Sequence, residues 1–156
     1  MAEITEQNRM LDAIRVDMNT GASAVTRADL VRAQLENLRR LNSDAEVKKA
    51  ADALNTKLAD AEMSLVDLRL TGNGQDNVRF AAALLANLGY LANGLSGGDF
   101  RPTNQQVEVQ AILKEQLKAN VAVIDAILAN DLAALNAMLR SKNVPNIGGG
   151  APPPVP

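Results

Sequence analysis

The strongest constraint on the fold is a heptad repeat of apolar residues that begins shortly after Leu41. Its members are spaced alternately four and three residues apart: Val47, Ala51, Leu54, Leu58, Ala61, Leu65 and Leu68. This spacing places them on one side of an α-helix and leaves charged residues off that side. Ser43 and Glu46 have the spacing of a capping box, so we expect Ser43 to cap this helix. Glycines in the run Thr71–Gly74 predict its end.

A second heptad precedes it, because Ile4, Leu11, Met18 and Val25 recur every seven residues. Further apolar residues continue this face towards Leu41, and one long first helix explains the pattern best. The alternative is a break at Asn19–Gly21 and a new helix with Thr26 as its N-cap.

A third helix is expected from about Asn77 to Ala92, with Asp76 as its cap. Its apolar side is formed by Phe80, Ala81, Leu84, Leu85, Leu88, Leu91, Ala92 and Leu95. The opposite side carries small or neutral residues, and no charged residue lies between Arg79 and Asp99. Since a solvated helix normally carries charges on its outer side, we expect this helix either to be central in the bundle or to be covered on this side by something else. The candidate docking residues are Ala82, Ala86, Gly89, Tyr90 and Asn93.

The fourth helix begins at a second capping box, formed by Thr103 and Gln106. Its apolar seam is predicted to contain Val109, Leu113, Leu117, Ile124, Ile127 or Leu128, Leu132, Leu135 and Leu139. A kink with a new N-cap is expected at Asn130–Asp131. The last residues are rich in Gly and Pro, so we divide the chain into a helical bundle, 1–147, and a tail, 148–156.

Four amphipathic helices with short connections predict an all-α fold, an antiparallel up-down-up-down four-helix bundle with long helices. The chain has no Cys, His or Trp, which removes disulfides, Cys/His zinc sites and Ser–His or Cys–His nucleophilic pairs. Gly72–Asn77 resembles a phosphate or calcium loop only faintly, and we interpret it as an interhelical turn. We therefore expect no catalytic residue, no metal site and no cofactor, and hence no enzyme.

Charge and hydropathy limit the classes of partner that the sequence favours. Sixteen Lys and Arg residues against eighteen Asp and Glu give a net charge of −2, which does not favour nucleic acid. The first twenty residues lack the apolar core of a signal peptide. The uncharged run Ala81–Gly98 contains four glycines and is poor material for a bilayer span, so we expect no membrane span. The cellular compartment stays open.

Three segments carry a family resemblance: Asp76–Phe80, Ser96–Thr103, and the ending from Asp131–Asn136 to Val144–Pro145. They resemble the C-terminal helical region of secreted bacterial proteins that carry a sortilin-like or BNR-repeat β-propeller and are often labelled glycosyl hydrolases. The resemblance spans roughly residues 8–147. Its motifs are capping and packing residues, and Thr26 stands where the family pattern has Asn. Because the propeller is not in this sequence, no catalytic residue can be carried over.

The resemblance implies a non-catalytic accessory domain that contacts the propeller of a parent protein or associates with itself. It also implies a secreted or extracytoplasmic location. The residues themselves favour the same class, a structural interaction module. The alternative is a small-ligand or lipid-binding bundle with a cavity between its helices, which scarce aromatic residues disfavour.

Overall fold

A computed structural model describes residues 2–70 and 80–149, with side chains from residue 4 onward. Its elements are α1 (Ala2–Leu41), α2 (Ala45–Met63), α3 (Leu84–Ser96), α4 (Asn104–Ala126), a π-helical turn (Ile127–Asp131) and α5 (Leu132–Ser141). The last three form one continuous helix, which we call the C-terminal rod. The described residues contain no strand, so the predicted all-α class is confirmed for them.

The first helix is unbroken, as the preferred interpretation predicted. Thr26 does not cap a new helix, because its hydroxyl donates to the Ala22 carbonyl at 2.9 Å within α1. Gly21 lies where α1 meets α3 and α4. A Cβ at this position would lie 2.5 Å from Leu85 Cδ2 and 3.1 Å from Leu117 Cδ1, so the glycine permits close packing.

The buried face of α1 differs from the predicted one. It consists of Gln7, Met10, Ile14, Asp17, Gly21, Ala24, Ala28, Val31 and Leu35. The predicted heptad lies beside this face: Ile4 is 43% exposed, and Leu11, Met18 and Val25 are half-buried. The prediction is confirmed for Ile14, Ala28 and Leu35, which were expected to continue the apolar face and are buried. The four heptad residues lie beside the seam because two polar residues and a glycine occupy positions on it.

The N-cap of α2 is Asp44, not the predicted Ser43. Its carboxylate accepts hydrogen bonds from the amides of Glu46 and Val47, at 2.8 and 3.3 Å. A carboxylate is a strong acceptor at the positive end of the helix dipole, which favours Asp44 over the neighbouring serine. The heptad seam is buried from Val47 to Leu65.

The predicted end of α2 was too late. The helix stops at Met63, where the amides of Leu65 and Val66 both donate to the Glu62 carbonyl at 2.8 Å. Leu68 consequently leaves the seam and is 40% exposed. The predicted glycine-containing stop, Thr71–Gly74, lies outside the described residues.

The third helix begins later than predicted. Residues 80–83 are not helical, and α3 starts at Leu84, while Asp76 and residues 77–79 lie outside the described part. Ala83 has extended backbone angles and provides no side-chain cap. The amide of Leu85 instead donates to the Leu65 carbonyl at 3.1 Å, which joins the start of α3 to the segment after α2.

Contacts along α1 establish the order of the helices. Asp52 of α2 pairs with Arg39 at 2.8 Å, whereas Leu85 of α3 lies against Gly21 and the end of α3 contacts Gln7. Thus α2 covers the C-terminal half of α1 and α3 covers its N-terminal half, both running opposite to α1. An up-down-up-down bundle requires α3 to lie beside α2 and to run in the opposite direction. These contacts instead place α3 beyond the end of α2, running in the same direction as α2.

The C-terminal rod runs in the same direction as α1. Near its start, Arg101 pairs with Glu6 at 2.9 Å; in its middle, Asp125 pairs with Arg27 at 2.7 Å. Just past its end, Lys142 pairs with Asp44 at 2.8 Å. The bundle is therefore built along three axes: α1, the stacked helices α2 and α3, and the rod.

Within the rod, the predicted Thr103–Gln106 capping box is confirmed. The predicted new cap near Asn130–Asp131 is wrong, because Asp131 has helical angles and no capping hydrogen bond. A π-helical turn is found there instead, between the buried residues Ile124 and Leu132. Their separation is eight residues rather than seven, and the wider π turn accommodates the extra residue.

Candidate docking surface

The orientation of α3 is fixed by its inner side and by its C-terminus. Leu84, Leu88, Leu91 and Leu95 are buried in the core. The side-chain amide of Gln7 in α1 donates to the carbonyls of Leu95 and Gly98, the latter at 2.6 Å. The Leu95 carbonyl lies in the last turn of α3, where carbonyls lack intrahelical partners, and the Gly98 carbonyl lies just after the helix. The amide therefore anchors the end of α3 to α1 and fixes which residues point outward.

Three predicted docking residues share the outward side of α3, and we call them the α3 outer face: Ala86, Tyr90 and Asn93. Their spacing of four and three residues places them one helical turn apart. All three are exposed, and the Tyr90 side chain is 62% exposed. From Leu84 to Ser96 the helix carries no charged residue. The face is thus a neutral surface centred on one exposed aromatic ring.

The other two predicted residues lie elsewhere. Ala82 precedes the helix and is exposed, and its carbonyl accepts a hydrogen bond from Asn87 Nδ2 at 3.3 Å. Gly89 is half-buried, and a Cβ there would lie 3.9 Å from Met18 Cε. Gly89 therefore belongs to the contact between α1 and α3.

Exposed apolar residues that were not predicted as docking residues lie near this face in sequence or on the adjoining helix. Phe100, just after α3, is 74% exposed, and Ile112 of α4 is 57% exposed. Val109 was predicted to be part of the core seam and is 38% exposed instead. Gly94, on the same side of α3 as Tyr90, faces Gln106 of α4, and Val109 lies one helical turn after Gln106. In the sequence, the sign that could have indicated these exposed residues was the absence of charge at their positions.

The charged residues ahead of α3 are already paired. Arg69 donates to both carboxylate oxygens of Asp67, at 2.8 and 2.6 Å, and its guanidinium lies 4.2 Å from the centre of the Phe80 ring. The hydrogen bonds from Arg69 lower the pKa of Asp67. Among the described residues that precede α3, Arg69 and Asp67 thus satisfy each other.

A second charged pair is buried deeper, at the end of α2. The Glu62 side chain is fully buried and accepts a hydrogen bond from Arg32, while its Oε1 has no partner. Desolvation raises the pKa of Glu62, partly opposed by the positive charge of Arg32. In the described ranges, no group of three or more Asp or Glu side chains could hold a metal ion. We find no arrangement there that resembles a general acid and base beside a cleft.

The outer side of the C-terminal rod is also apolar. Its exposed residues include Ala119, Ala122, Val123, Ala126, Ala129, Ala133 and Ala137. By length and composition alone, the helix Asn104–Ser141 could cross a membrane, and only 17% of its most apolar window is buried. Its two central acidic residues are paired, Asp125 with Arg27 and Asp131 with Lys57. The absence of a membrane span therefore stays a prediction.

Surface grooves lie beside α1 rather than enclosed between the helices. One is lined by α1 and residues 144–147, and another by α1 and α4. Both are open to solvent. Neither groove is the enclosed apolar cavity that the small-ligand alternative requires.

No family model matches this chain, and comparisons with curated proteins and with solved structures gave no significant match.

Proposed function

We propose that this chain is a non-catalytic helical accessory domain that mediates protein–protein contact or assembly. The observation that carries the proposal is the α3 outer face: an exposed tyrosine on a helix without a single charged residue. Exposed aromatic residues on neutral surfaces are typical of the centres of protein interfaces, where charged residues are depleted.

Two partners fit the proposal. The first is a second copy of this chain, which would cover the neutral face by self-association. The second is the β-propeller of a parent protein, which follows from the resemblance to the helical region of sortilin-like and BNR-repeat proteins. The resemblance also supplies the proposed secreted or extracytoplasmic location. In either case the domain docks or assembles other parts and has no chemistry of its own.

The test is an Ala86→Arg variant, which places a long charged side chain in the centre of the face. Sedimentation velocity over a wide concentration range measures self-association. We expect the wild-type chain to associate and Ala86→Arg to remain monomeric, because a buried unpaired charge is costly at an interface. Ala33→Arg, on an exposed position in the middle of α1, is the matched control and should behave as wild type.

Both variants should melt at the temperature of the wild type, since both positions are exposed. A wild-type chain that stays monomeric at every concentration, with solubility unchanged by Ala86→Arg, would contradict self-association through this face. Binding to a purified propeller of the resembling family then distinguishes the second partner. Equal binding by the wild type and Ala86→Arg would remove the surface from the proposal.

A further inference from the structure

One buried carboxylate has no partner among the described residues. Four polar side chains are buried there: Gln7, Asp17, Glu62 and Asp67. Three of them have the partners described above, which are a pair of carbonyls for the amide and an arginine for each glutamate or aspartate. The Asp17 carboxylate accepts no hydrogen bond and forms no ion pair within the described ranges, and its Oδ2 is buried without a donor.

Asp17 lies on the buried seam of α1, where packing does not need a charge. It is 8% exposed, and its neighbours on the seam are Ile14 and Gly21, one apolar and one small. Leaving a charged group unpaired and away from water is costly, so such groups are normally paired or hydrogen-bonded. An aspartate at this position therefore indicates a role other than packing, for which a donor must be supplied.

The Asp17 side chain lines an open groove between α1 and α4. The groove has a volume of about 380 Å³, within the range of about 300–1,000 Å³ that is usual for small-molecule sites. Leu117 and Val121 of α4 supply an apolar part of its lining, and Thr20 of α1 lies beside Asp17 on the other wall. The groove thus combines a buried acid with an apolar surface.

Positive charge lies on the opposite wall of this groove. Lys114 and Lys118 are one helical turn apart on α4, both are exposed, and neither pairs with a carboxylate among the described residues. Asp125 also lines the groove, but it is paired with Arg27 at 2.7 Å. A simple cation would meet both lysines, and a simple anion would meet Asp17. The charges therefore favour a ligand that carries one group of each sign.

The acidic wall suits an ammonium group in particular. The Thr20 hydroxyl donates to the Val16 carbonyl at 2.9 Å, so its oxygen can still accept a hydrogen bond. An ammonium group has three donors and can use this oxygen together with the Asp17 carboxylate. A ligand with an ammonium group, a carboxylate and an apolar part would match the acidic wall, the lysines and the apolar lining.

We propose that the groove between α1 and α4 binds a free amino acid with an aliphatic side chain. The Asp17 carboxylate accepts hydrogen bonds from its ammonium group, the two lysines attract its carboxylate, and its side chain lies against Leu117 and Val121. The proposal goes beyond the proposed function. No residue of α3 lines this groove, so the site is separate from the α3 outer face and is tested separately.

The first experiment compares leucine with two analogues that each lack one charged group. Isoamylamine has no carboxylate, and isocaproate has no ammonium group. Backbone amide chemical shifts of the isotope-labelled full chain both measure binding and locate it. We expect leucine to cause saturable shifts at Asp17, Thr20 and Val121, with a dissociation constant of about 1 mM or tighter. Each analogue should bind at least about tenfold more weakly, because one charged contact is lost.

The second experiment changes the two walls of the groove. Asp17→Asn keeps the shape of the side chain and removes its charge, so it should weaken leucine binding at least about tenfold. Asp12→Asn is the matched control, since Asp12 is exposed on the same helix, and it should leave leucine binding unchanged. The double variant Lys114→Met, Lys118→Met should weaken leucine binding about three- to tenfold, because its lysines are exposed.

The proposal is wrong if leucine causes no saturable shift in the groove, if either analogue binds as tightly as leucine, or if a folded Asp17→Asn chain binds leucine as the wild type does. The comparison of ligands uses the wild-type chain, so it decides the question even if Asp17→Asn does not fold.

An ion pair within the chain, between Asp17 and Lys118, is the competing explanation. Thermal melts of Asp17→Asn, Lys118→Met and the combined variant test it. Losses of stability that are clearly non-additive, together with no leucine binding, would overturn the ligand site and assign Asp17 to the fold.

Additive losses in the melts, together with leucine binding that needs both charged groups of the ligand, would support the ligand site.

Discussion

Helices α2 and α3 lie end to end along α1, yet they differ in almost everything except their buried side. The charged residues of α2 are Glu46, Lys48, Lys49, Asp52, Lys57, Asp60 and Glu62. Helix α3 has none, and it is fastened to α1 by leucines, by the close approach at Gly21 and by the Gln7 amide. The fold needs only the inner side of each helix. The outer side is free to vary, and it is therefore the more informative side about partners.

The comparison between α2 and α3 first requires that both helices unfold as parts of one cooperative unit. Leu58 in α2 and Leu88 in α3 are both fully buried, so each change to Ala should lower the free energy of unfolding by about 2–5 kcal/mol. Urea denaturation followed by circular dichroism measures this. Both variants should shift a single transition. A separate early transition for Leu88→Ala alone would show that α3 unfolds independently of α2.

The second prediction concerns how each half is attached to α1. Gln7→Leu leaves the Leu95 carbonyl without the Gln7 donor, while the Gly98 carbonyl still accepts from the Phe100 amide at 3.0 Å, so we expect a loss of about 1–3 kcal/mol in unfolding free energy. Arg39→Leu removes the exposed pair with Asp52 in the other half and should cost less than about 1 kcal/mol. Hydrogen exchange should also accelerate at the end of α3 in Gln7→Leu. Equal losses in the two variants would contradict the assigned roles.

The smallest expected effect is a pH dependence confined to the α2 half. The folded pKa of Glu62 is raised above its ordinary value of 4.5, so folded chains bind a proton more tightly than unfolded ones. Its contribution to stability is complete below pH 4.5 and is lost as the pH rises through the raised pKa. Glu62→Gln should therefore remove a decline in stability that the wild type shows on going towards neutral pH.

Asp44, the N-cap of α2, should give a pH dependence of stability opposite to that of Glu62. Hydrogen bonds from Lys142 and from the first turn of α2 lower the pKa of Asp44 below 3.8. Its contribution is present above that value and lost as the pH falls through the lowered pKa. Thermal melts from acid to neutral pH should show Glu62→Gln and Asp44→Asn changing the profile in opposite directions. Two profiles parallel to that of the wild type would contradict both assignments.

Much of the helical framework was predictable because it depends on local patterns. The seam from Val47 to Leu65 and the Thr103–Gln106 box use neighbouring residues only, and both are present in the structure. The seam of α1 was misplaced because Gln7 and Asp17 occupy buried positions on it. Gln7 is satisfied by carbonyls about ninety residues away, and no local pattern contains that partner.

The start of α3 was predicted wrongly for a related reason. Ala81, Ala82 and Ala83 are strong helix formers, yet this segment is not helical. Leu65 lies just past the end of α2, and the hydrogen bond that its carbonyl accepts from the Leu85 amide sets where the next helix begins. A tertiary contact thus overrides the propensity of three alanines.

The exposure of the candidate docking residues was predictable only in part. The lack of charge identified Ala86, Tyr90 and Asn93 on the outer side of α3, where they are exposed. Gly89 lies at the edge of that side, and the sequence does not show how closely α1 approaches it. Residues 144–149 were not predicted to contact the bundle, because Gly- and Pro-rich residues usually indicate a linker. The side chains that bind their backbone, Gln34 and Asn136, look like ordinary surface amides.

The π-helical turn in the rod has a consequence for length changes in this molecule. One additional residue in the turn rotates everything downstream, so that Leu132 and Leu139 face inward although the spacing from Ile124 is out of phase. Deleting Ala129 would restore the seven-residue spacing and uniform α-helical winding, so these leucines and the Asn136 amide should keep facing their contacts. The π turn is therefore the place in the rod where the loss of one residue is compatible with the packing on both sides of it.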